Sequence, residues 1–412
     1  MKVLTKNIEL KCILKWCAVI AIVGIAVGSV SALFLYTLDI VTSYRIQHFN
    51  IIYFLPFAGL IIGLLYHYFG REIITGNNLV IEEYYQPQKT IPFLMAPMIY
   101  ITTILTHLFG GSAGREGTAI QMGVAISDQF SLKYKLNDDE RRLLILLGIS
   151  AGFAAVFGTP IAAAIFAIEL VYIKTIKPKW YFVVSSFVVA FLADFVCSAY
   201  GIHHTHYIIK SSFNYFSIDY VYVFLFGLIA ALVAILFIQF GVLFQEIFYK
   251  FIAYAPLRTF VGGIILLIIV LVSKNTTYLG LGIETIQKSF LEPVNYYDFL
   301  LKILFTSFTL SVGFKGGEVT PLFFIGATLG NACALFLPLP FDVLAAMGFV
   351  AVFAASTNAP FACAIMGAEL FGFTHFPYLL LVCGVAYYCS KTFGIYTAQY
   401  NVKKYSIFLK SK

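Results

Sequence analysis

Charge is what this 412-residue chain has least of: Asp, Glu, Lys and Arg together make up 11% of it, against about 25% in a typical soluble domain. A chain so poor in charge cannot clothe a water-facing surface, and its 60% of hydrophobic residues places it in a bilayer. Paired cysteine spacing is missing as well. Cys12, Cys17, Cys197, Cys333, Cys363, Cys383 and Cys389 include no CxxC pair, which argues against a disulfide framework or zinc site and leaves them as small buried hydrophobes. No HExxH metal motif occurs and no G-x-S-x-G nucleophile elbow is recognised, so the chain is expected to be neither an enzyme nor a cofactor binder.

What is present is a series of long uncharged runs: Trp16 to Leu38, Ile46 to Gly70, Thr90 to Gly114, Leu143 to Ile168, Val221 to Gln245, Val343 to Ala368 and Leu370 to Ser390. Each has roughly the 20 residues that a membrane-spanning helix needs. The first begins like a secretory leader, but its apolar part is too long and further spans follow, so it reads as a retained span. The net charge of +7 reflects basic ends more than an anionic partner. Lys2, Lys6, Lys11 and Lys15 flank one end and Lys403, Lys404, Lys410 and Lys412 the other, which predicts two cytoplasmic termini by the positive-inside rule.

An internal repeat organises the chain. Ala151 to Leu170, AGFAAVFGTPIAAAIFAIEL, aligns without gaps on Ala351 to Leu370, AVFAASTNAPFACAIMGAEL, with about half the positions identical. Pro160 meets Pro360 and Glu169 meets Glu369. Upstream, Gly114 to Thr118 and Gly316 to Thr320 share G-x-E-x-T. Alanine-rich helices can agree by chance, but two matches in the same order predict two homologous membrane repeats, 1–200 and 221–412, joined by a connection at 201–220. Duplicated membrane halves are a transporter architecture with a site at the junction of broken helices. Breaks are predicted at Gly76, Gly110 to Gly117, Gly158 to Pro160, Gly313 to Pro321 and Asn358 to Pro360. Irregular backbone at membrane depth is tolerated only where protein or water satisfies it.

Two polar segments interrupt the pattern. Ser131 to Arg142 reads as a solvated loop opening a helix at Asn137 or Asp138. His203, His204 and His206 lie in the connection, where their spacing fits no zinc pattern and a wet linker is the simpler reading. Glu169 and Glu369, being twinned, read as structural partners at helix ends rather than proton carriers.

GREGT, Gly114 to Thr118, is the stretch that carries chemistry. Flanking glycines let backbone N–H groups converge, and a helix starting there adds the positive end of its dipole. The result is an anion site that an ionised Glu116 can fill itself and must vacate when protonated or displaced, which couples a proton to an anion. The competing reading is a structural ion pair of Arg115 with Glu116; neighbouring residues on a helix diverge by about 100°, which argues against it.

GREGT followed by AIQMG, the later GGEVTP, the twin helices GTPIAAAIFAIE and NAPFACAIMGAE, and the tyrosine of FGIYTAQY resemble the CLC family of anion channels and anion/proton antiporters, over about Gly24 to Tyr400. The resemblance implies an all-α polytopic membrane fold, an inverted repeat of broken helices, and a homodimer with one anion pathway per subunit. It makes Glu116 the gating and proton-coupling glutamate. It places Asn77, Gly114, Arg115, Gly117, Val319, Thr320 and Tyr396 around the anion. The departures point to one branch. Thr118 stands where a proline is usual, Asn77 where chloride carriers have serine, and Glu318 and Thr320 where they are mostly apolar. This set resembles the bacterial fluoride/proton antiporters. Fluoride is small, strongly hydrated and a strong hydrogen-bond acceptor, so the amide and hydroxyl donors of Asn77, Thr320 and Tyr396 suit it.

The second glutamate that many chloride/proton antiporters carry is Leu170 here, so the inner proton route needs another group, such as Glu318, or water. The reading is therefore a proton-coupled fluoride exporter in a bacterial cytoplasmic membrane, with fluoride, protons and lipid as its partners and neither ATP nor nucleic acid. A chloride/proton antiporter and a passive halide channel of the same fold stay open beside it.

Overall fold

The computed structural model describes residues 2–134, 136–172, 179–205, 207–211 and 217–400. Helix α1 (Lys2–Gln47) is followed by a 3-10 turn (Phe49–Phe54) and α2 (Leu55–Tyr68), which returns. Short helices follow: α3 (Asn77–Tyr85), α4 (Met95–Leu108), α5 (Glu116–Ser127) and α6 (Gln129–Tyr134). Then come α7 (Asp138–Phe157), α8 (Pro160–Leu170) and α9 (Trp180–Ala199). The rest of the chain contributes α10 (Ser217–Phe251), α11 (Ala255–Ser273), α12 (Ile283–Ser289) and α13 (Asp298–Ser311). It ends with α14 (Val319–Cys333), α15 (Phe341–Thr357), α16 (Pro360–Phe371) and α17 (Phe376–Ser390). Six helical segments among the described residues are long and apolar enough to cross a membrane.

Uncharged runs were an imperfect guide to these helices. They miss the spans Trp180–Ala199 and Ala255–Ser273, because Asp194 and Arg258 cut the uncharged stretches short. They also join what the chain breaks. Leu143 to Ile168 is interrupted after Phe157 by Gly158 in the left-handed region (φ 78°), and Val343 to Ala368 after Thr357 by Asn358 (φ 58°). A proline then opens each following helix, where its missing N–H costs nothing. Only Met95–Leu108 of the third run is helical. The Ser131 to Arg142 loop is also helical as far as Tyr134, although Asn137 caps α7 as expected, with Glu140 completing a capping box. The 201–220 connection is shorter than predicted, since α10 starts at Ser217.

Matching pieces face each other across the molecule. Glu169 accepts from the N–H groups of Phe361 and Ala362 at 3.2 and 2.7 Å, capping α16. Glu369 accepts from Ile161 and Ala162 at 3.0 and 2.6 Å, capping α8. Each carboxylate thus closes the N-terminus of the other's helix, where orphan donors and the dipole favour negative charge. Phe153 of α7 and Phe353 of α15, the helices just before them, stack at 6.3 Å. Gly123 lies against the Gly148 backbone and Gly326 against Gly348, so closely that a Cβ at Gly123 or Gly326 would strike the facing carbonyl. Such close approach is the usual solution where bilayer lipid gives no hydrophobic drive for helix association.

A buried ion cluster fixes α3, α5 and α7 to one another. Arg141 donates to Glu83 at 2.8 Å and to Asp128 at 2.9 and 3.0 Å, and also to the Lys89 carbonyl. The backbone N–H of Ile91 adds 2.8 Å to Asp128. Removing one member strands a charge out of water, which costs roughly 3–5 kcal/mol. Arg141→Ala is therefore expected to lower the thermal unfolding midpoint in detergent sharply, whereas the exposed Lys179→Ala, which breaks the 2.8 Å contact with Asp139, leaves it nearly unchanged.

Candidate anion site

The loops entering α5 and α14 run antiparallel. The Gly114 N–H donates to the Gly317 carbonyl at 2.5 Å and the Gly317 N–H to the Gly114 carbonyl at 2.8 Å. This brings the N-termini of α5 and α14 together through the backbones of Gly114 and Gly317. A Cβ on Gly117 would lie 3.0 Å from Asn77 Nδ2 and 3.2 Å from Gly317 Cα.

Glu116 is fully buried at this junction. Its carboxylate accepts the Thr320 N–H at 3.1 Å and lies 2.7 and 2.8 Å from the Thr320 hydroxyl. The Arg115 N–H adds 3.3 Å. Arg115 Nε is 3.6 Å from the same carboxylate, so the prediction that the two side chains face apart is corrected. Arg115 is the N-cap of α5, with φ −123° and ψ −27°, and helical spacing does not apply to it. Its Nε forms no hydrogen bond, so the pair is electrostatic and loose.

Asn77 opens α3 behind Gly76, whose φ of 57° and ψ of −119° is open to glycine and strained for any other residue. Among the described residues neither the buried Asn77 Oδ1 nor the buried Tyr396 hydroxyl has a hydrogen-bond partner. Tyr396 lies within electrostatic range of both Glu116 and Glu318. Val319 begins α14 and is fully buried. The Thr118 hydroxyl is turned to Thr103 at 2.9 Å, so it braces α5 on α4. Asn78, which the sequence reading passed over, accepts from the Ala398 N–H at 3.0 Å and ties the Tyr396 segment to α3.

Two cavities approach this junction from opposite ends of the α1–α2 pair. One of about 790 Å³ is lined by the end of α1, Arg45, Arg115, His203 and His204. The other, about 390 Å³, is lined by the end of α2, Arg71, Arg258, Lys315, Glu318 and Thr397. Arg115 opens on the first and Glu318 on the second, with Glu116 buried between.

Sequence reading also missed the buried cations near the larger cavity. Arg45 donates to the His107 carbonyl at 2.8 Å, and Lys302 to the carbonyls of Tyr278 and Gly280 at 3.1 and 2.8 Å. A lysine inside FLLKILF was the available signal. His204 is 3.4 Å from Asp194 and His206 lies outside the described residues. Among the described residues no three His, Cys, Asp or Glu side chains are grouped for a metal. Two G-x-S-x-G spellings do occur, at Gly110 to Gly114 and Gly148 to Gly152. Neither sits on a strand-to-helix elbow, since Ser112 lies between the helices α4 and α5, bonded to Thr306 at 2.8 Å, and Ser150 is in mid-helix.

Paired helix N-termini gripping a buried carboxylate between two cavities define an anion-transport protein of the broken-helix type. Residues 58–391 match the family described as Voltage gated chloride channel, and the chain belongs to that family, the CLC proteins. It is 44% identical over 401 residues to the chloride/fluoride channel protein of Pseudomonas syringae pv. tomato, covering 94% of this chain and 86% of that one. Among solved structures it is similar to a CLC-type fluoride/proton antiporter, with 34% identity, a TM-score of 0.90, and 94% and 98% of the two chains covered. A slow cyanobacterial chloride/proton antiporter, 18% identical with a TM-score of 0.79 over 91% of this chain and 94% of that one, shares the fold.

Proposed function

We propose that the chain is a proton-coupled fluoride exporter of a bacterial cytoplasmic membrane. One observation carries the reading: the Glu116 carboxylate occupies a seat built from the Thr320 N–H and hydroxyl, with N–H groups of two helix starts around it. A seat that binds a carboxylate by hydrogen bonds is a seat for a small anion. The donor set favours fluoride, because the Asn77 amide and the Tyr396 hydroxyl offer hydrogen bonds that a strong acceptor uses best. The similar fluoride/proton antiporter and the chloride/fluoride channel protein support the same choice.

The steps follow from the geometry. Protonation neutralises Glu116, its hold on Thr320 weakens, and it leaves the seat. Fluoride enters and accepts the Thr320, Asn77 and Tyr396 donors. Loss of the proton on the other side returns the carboxylate and expels the anion, so the two ions move in opposite directions. Inward proton flow then drives fluoride out. Glu318 at the mouth of the smaller cavity is the inner proton carrier, in place of the glutamate that Leu170 lacks. Gly114, Gly117 and Val319 shape the seat by backbone, while Arg115 lends it charge. Thr118 acts indirectly, through Thr103.

In this reading residues 1–200 and 221–412 are two inverted repeats, for which the exchanged Glu169 and Glu369 caps speak. The protein is a homodimer with both termini in the cytoplasm. Needing only ions, it is not an enzyme and uses no ATP.

Proteoliposomes loaded with fluoride or chloride, with external pH recorded, test the function. Fluoride efflux matched by proton uptake, with little chloride movement, is expected. Equal chloride movement would instead make it a chloride/proton antiporter, and anion flux without protons a passive channel.

A further inference from the structure

The smaller cavity holds a cation that the transport cycle above leaves unused. Arg258, in the first turn of α11, is 6% exposed, and its guanidinium lies 3.5 Å from the centre of the Tyr249 ring. Its Nη1 is buried without a hydrogen-bond partner, and no carboxylate pairs with it among the described residues. A guanidinium out of water needs a counter-charge, and stacking on a tyrosine compensates for only part of that loss.

The surroundings supply more cations than acids. Arg71 and Lys315 line the same cavity, and among the described residues Glu318 is its one lining carboxylate. Lys315 makes a single long contact, 3.5 Å to the Ile74 carbonyl, and lies over the Tyr66 ring at 4.2 Å. Walls of one sign around a low-dielectric cleft concentrate counter-ions. At about 390 Å³ the cavity has room for an anion with its water shell, at about 30 Å³ per water.

We propose that Arg258, stacked on Tyr249, binds a small inorganic anion, still partly hydrated, in the smaller cavity, and that this site loads the Glu116 seat from that side. The assignment rests on the anion-transport reading and adds a second site to it. The planar guanidinium is the chemistry for the task, since it is weakly hydrated and permanently charged. Lys315 and Arg71 supply the field that draws the anion in.

Calorimetric titration of the detergent-purified full chain with sodium fluoride, and separately with sodium chloride, tests it. The intact protein is expected to bind two anions per subunit and Arg258→Gln one, with Arg258→Lys keeping a weaker second site. In vesicles, Arg258→Gln should raise the fluoride concentration for half-maximal efflux several-fold while the proton-to-fluoride ratio stays unchanged. Gel filtration and the unfolding midpoint certify that both variants fold. An Arg258→Gln isotherm equal to the parent's overturns the site, whatever the protein transports, as does a parent that binds neither anion. A second site that takes chloride and not fluoride, and vanishes in Arg258→Gln, leaves the site standing and removes fluoride from the function proposed above.

Discussion

A Glu116→Gln protein is expected to pass fluoride and move no protons. The amide has the shape of the protonated acid and cannot ionise, so it never acquires the charge that holds the carboxylate on Thr320. Of the contacts at that seat, the Thr320 N–H at 3.1 Å and its hydroxyl at 2.7 and 2.8 Å are then free for the anion. Charge-assisted hydrogen bonds are roughly twice as strong as neutral ones, so the glutamine competes poorly with fluoride. Simultaneous recording with fluoride and pH electrodes should show anion efflux persisting and proton uptake falling to the level of protein-free vesicles. Proton movement retained in this variant would remove Glu116 from the mechanism.

How much of this was legible in the sequence depends on which physical rule governs each element. Gly, Pro and the repeat located the breaks before α3, α5, α8, α14 and α16, because punctuation by φ and a missing N–H acts locally, but not the turn after α17 that carries Tyr396. The twinned Glu169 and Glu369 were correctly read as structural groups, yet their exchange between α8 and α16 is a tertiary fact no local rule contains. Arg115 was misjudged because helical spacing was applied to a residue just outside the helix. Helices α9 and α11 were missed because one charge each, Asp194 and Arg258, broke an apolar run. In the folded protein Arg258 is 6% exposed, which is the kind of position where a charge is informative. The Glu83–Asp128–Arg141 cluster and the Thr103–Thr118 contact were invisible for a plainer reason: their partners come from separate segments that only the fold brings together.

Thr320→Val should weaken fluoride binding at the seat roughly ten- to a hundredfold, since a hydrogen bond to a charged group is worth about 1.5–3 kcal/mol and about 1.4 kcal/mol is a factor of ten. Valine keeps the shape and deletes only the hydroxyl, and the Thr320 N–H remains. The absolute rate alone is ambiguous, because the Glu116 carboxylate and the entering fluoride use the same donor, and weakening both partly cancels. Selectivity does not cancel. Fluoride accepts a hydrogen bond far more strongly than chloride, so losing the hydroxyl penalises fluoride more, and the fluoride-to-chloride efflux ratio should fall even where both rates change. Thr320→Ser, which restores the donor without the methyl group, should bring the ratio back toward the parent value. If Thr320→Val slows transport and leaves the ratio untouched, the hydroxyl serves only to seat Glu116. Discrimination must then come from Asn77, whose Nδ2 would lie 3.0 Å from a Cβ added at Gly117, and from Tyr396, whose hydroxyl has no other partner among the described residues.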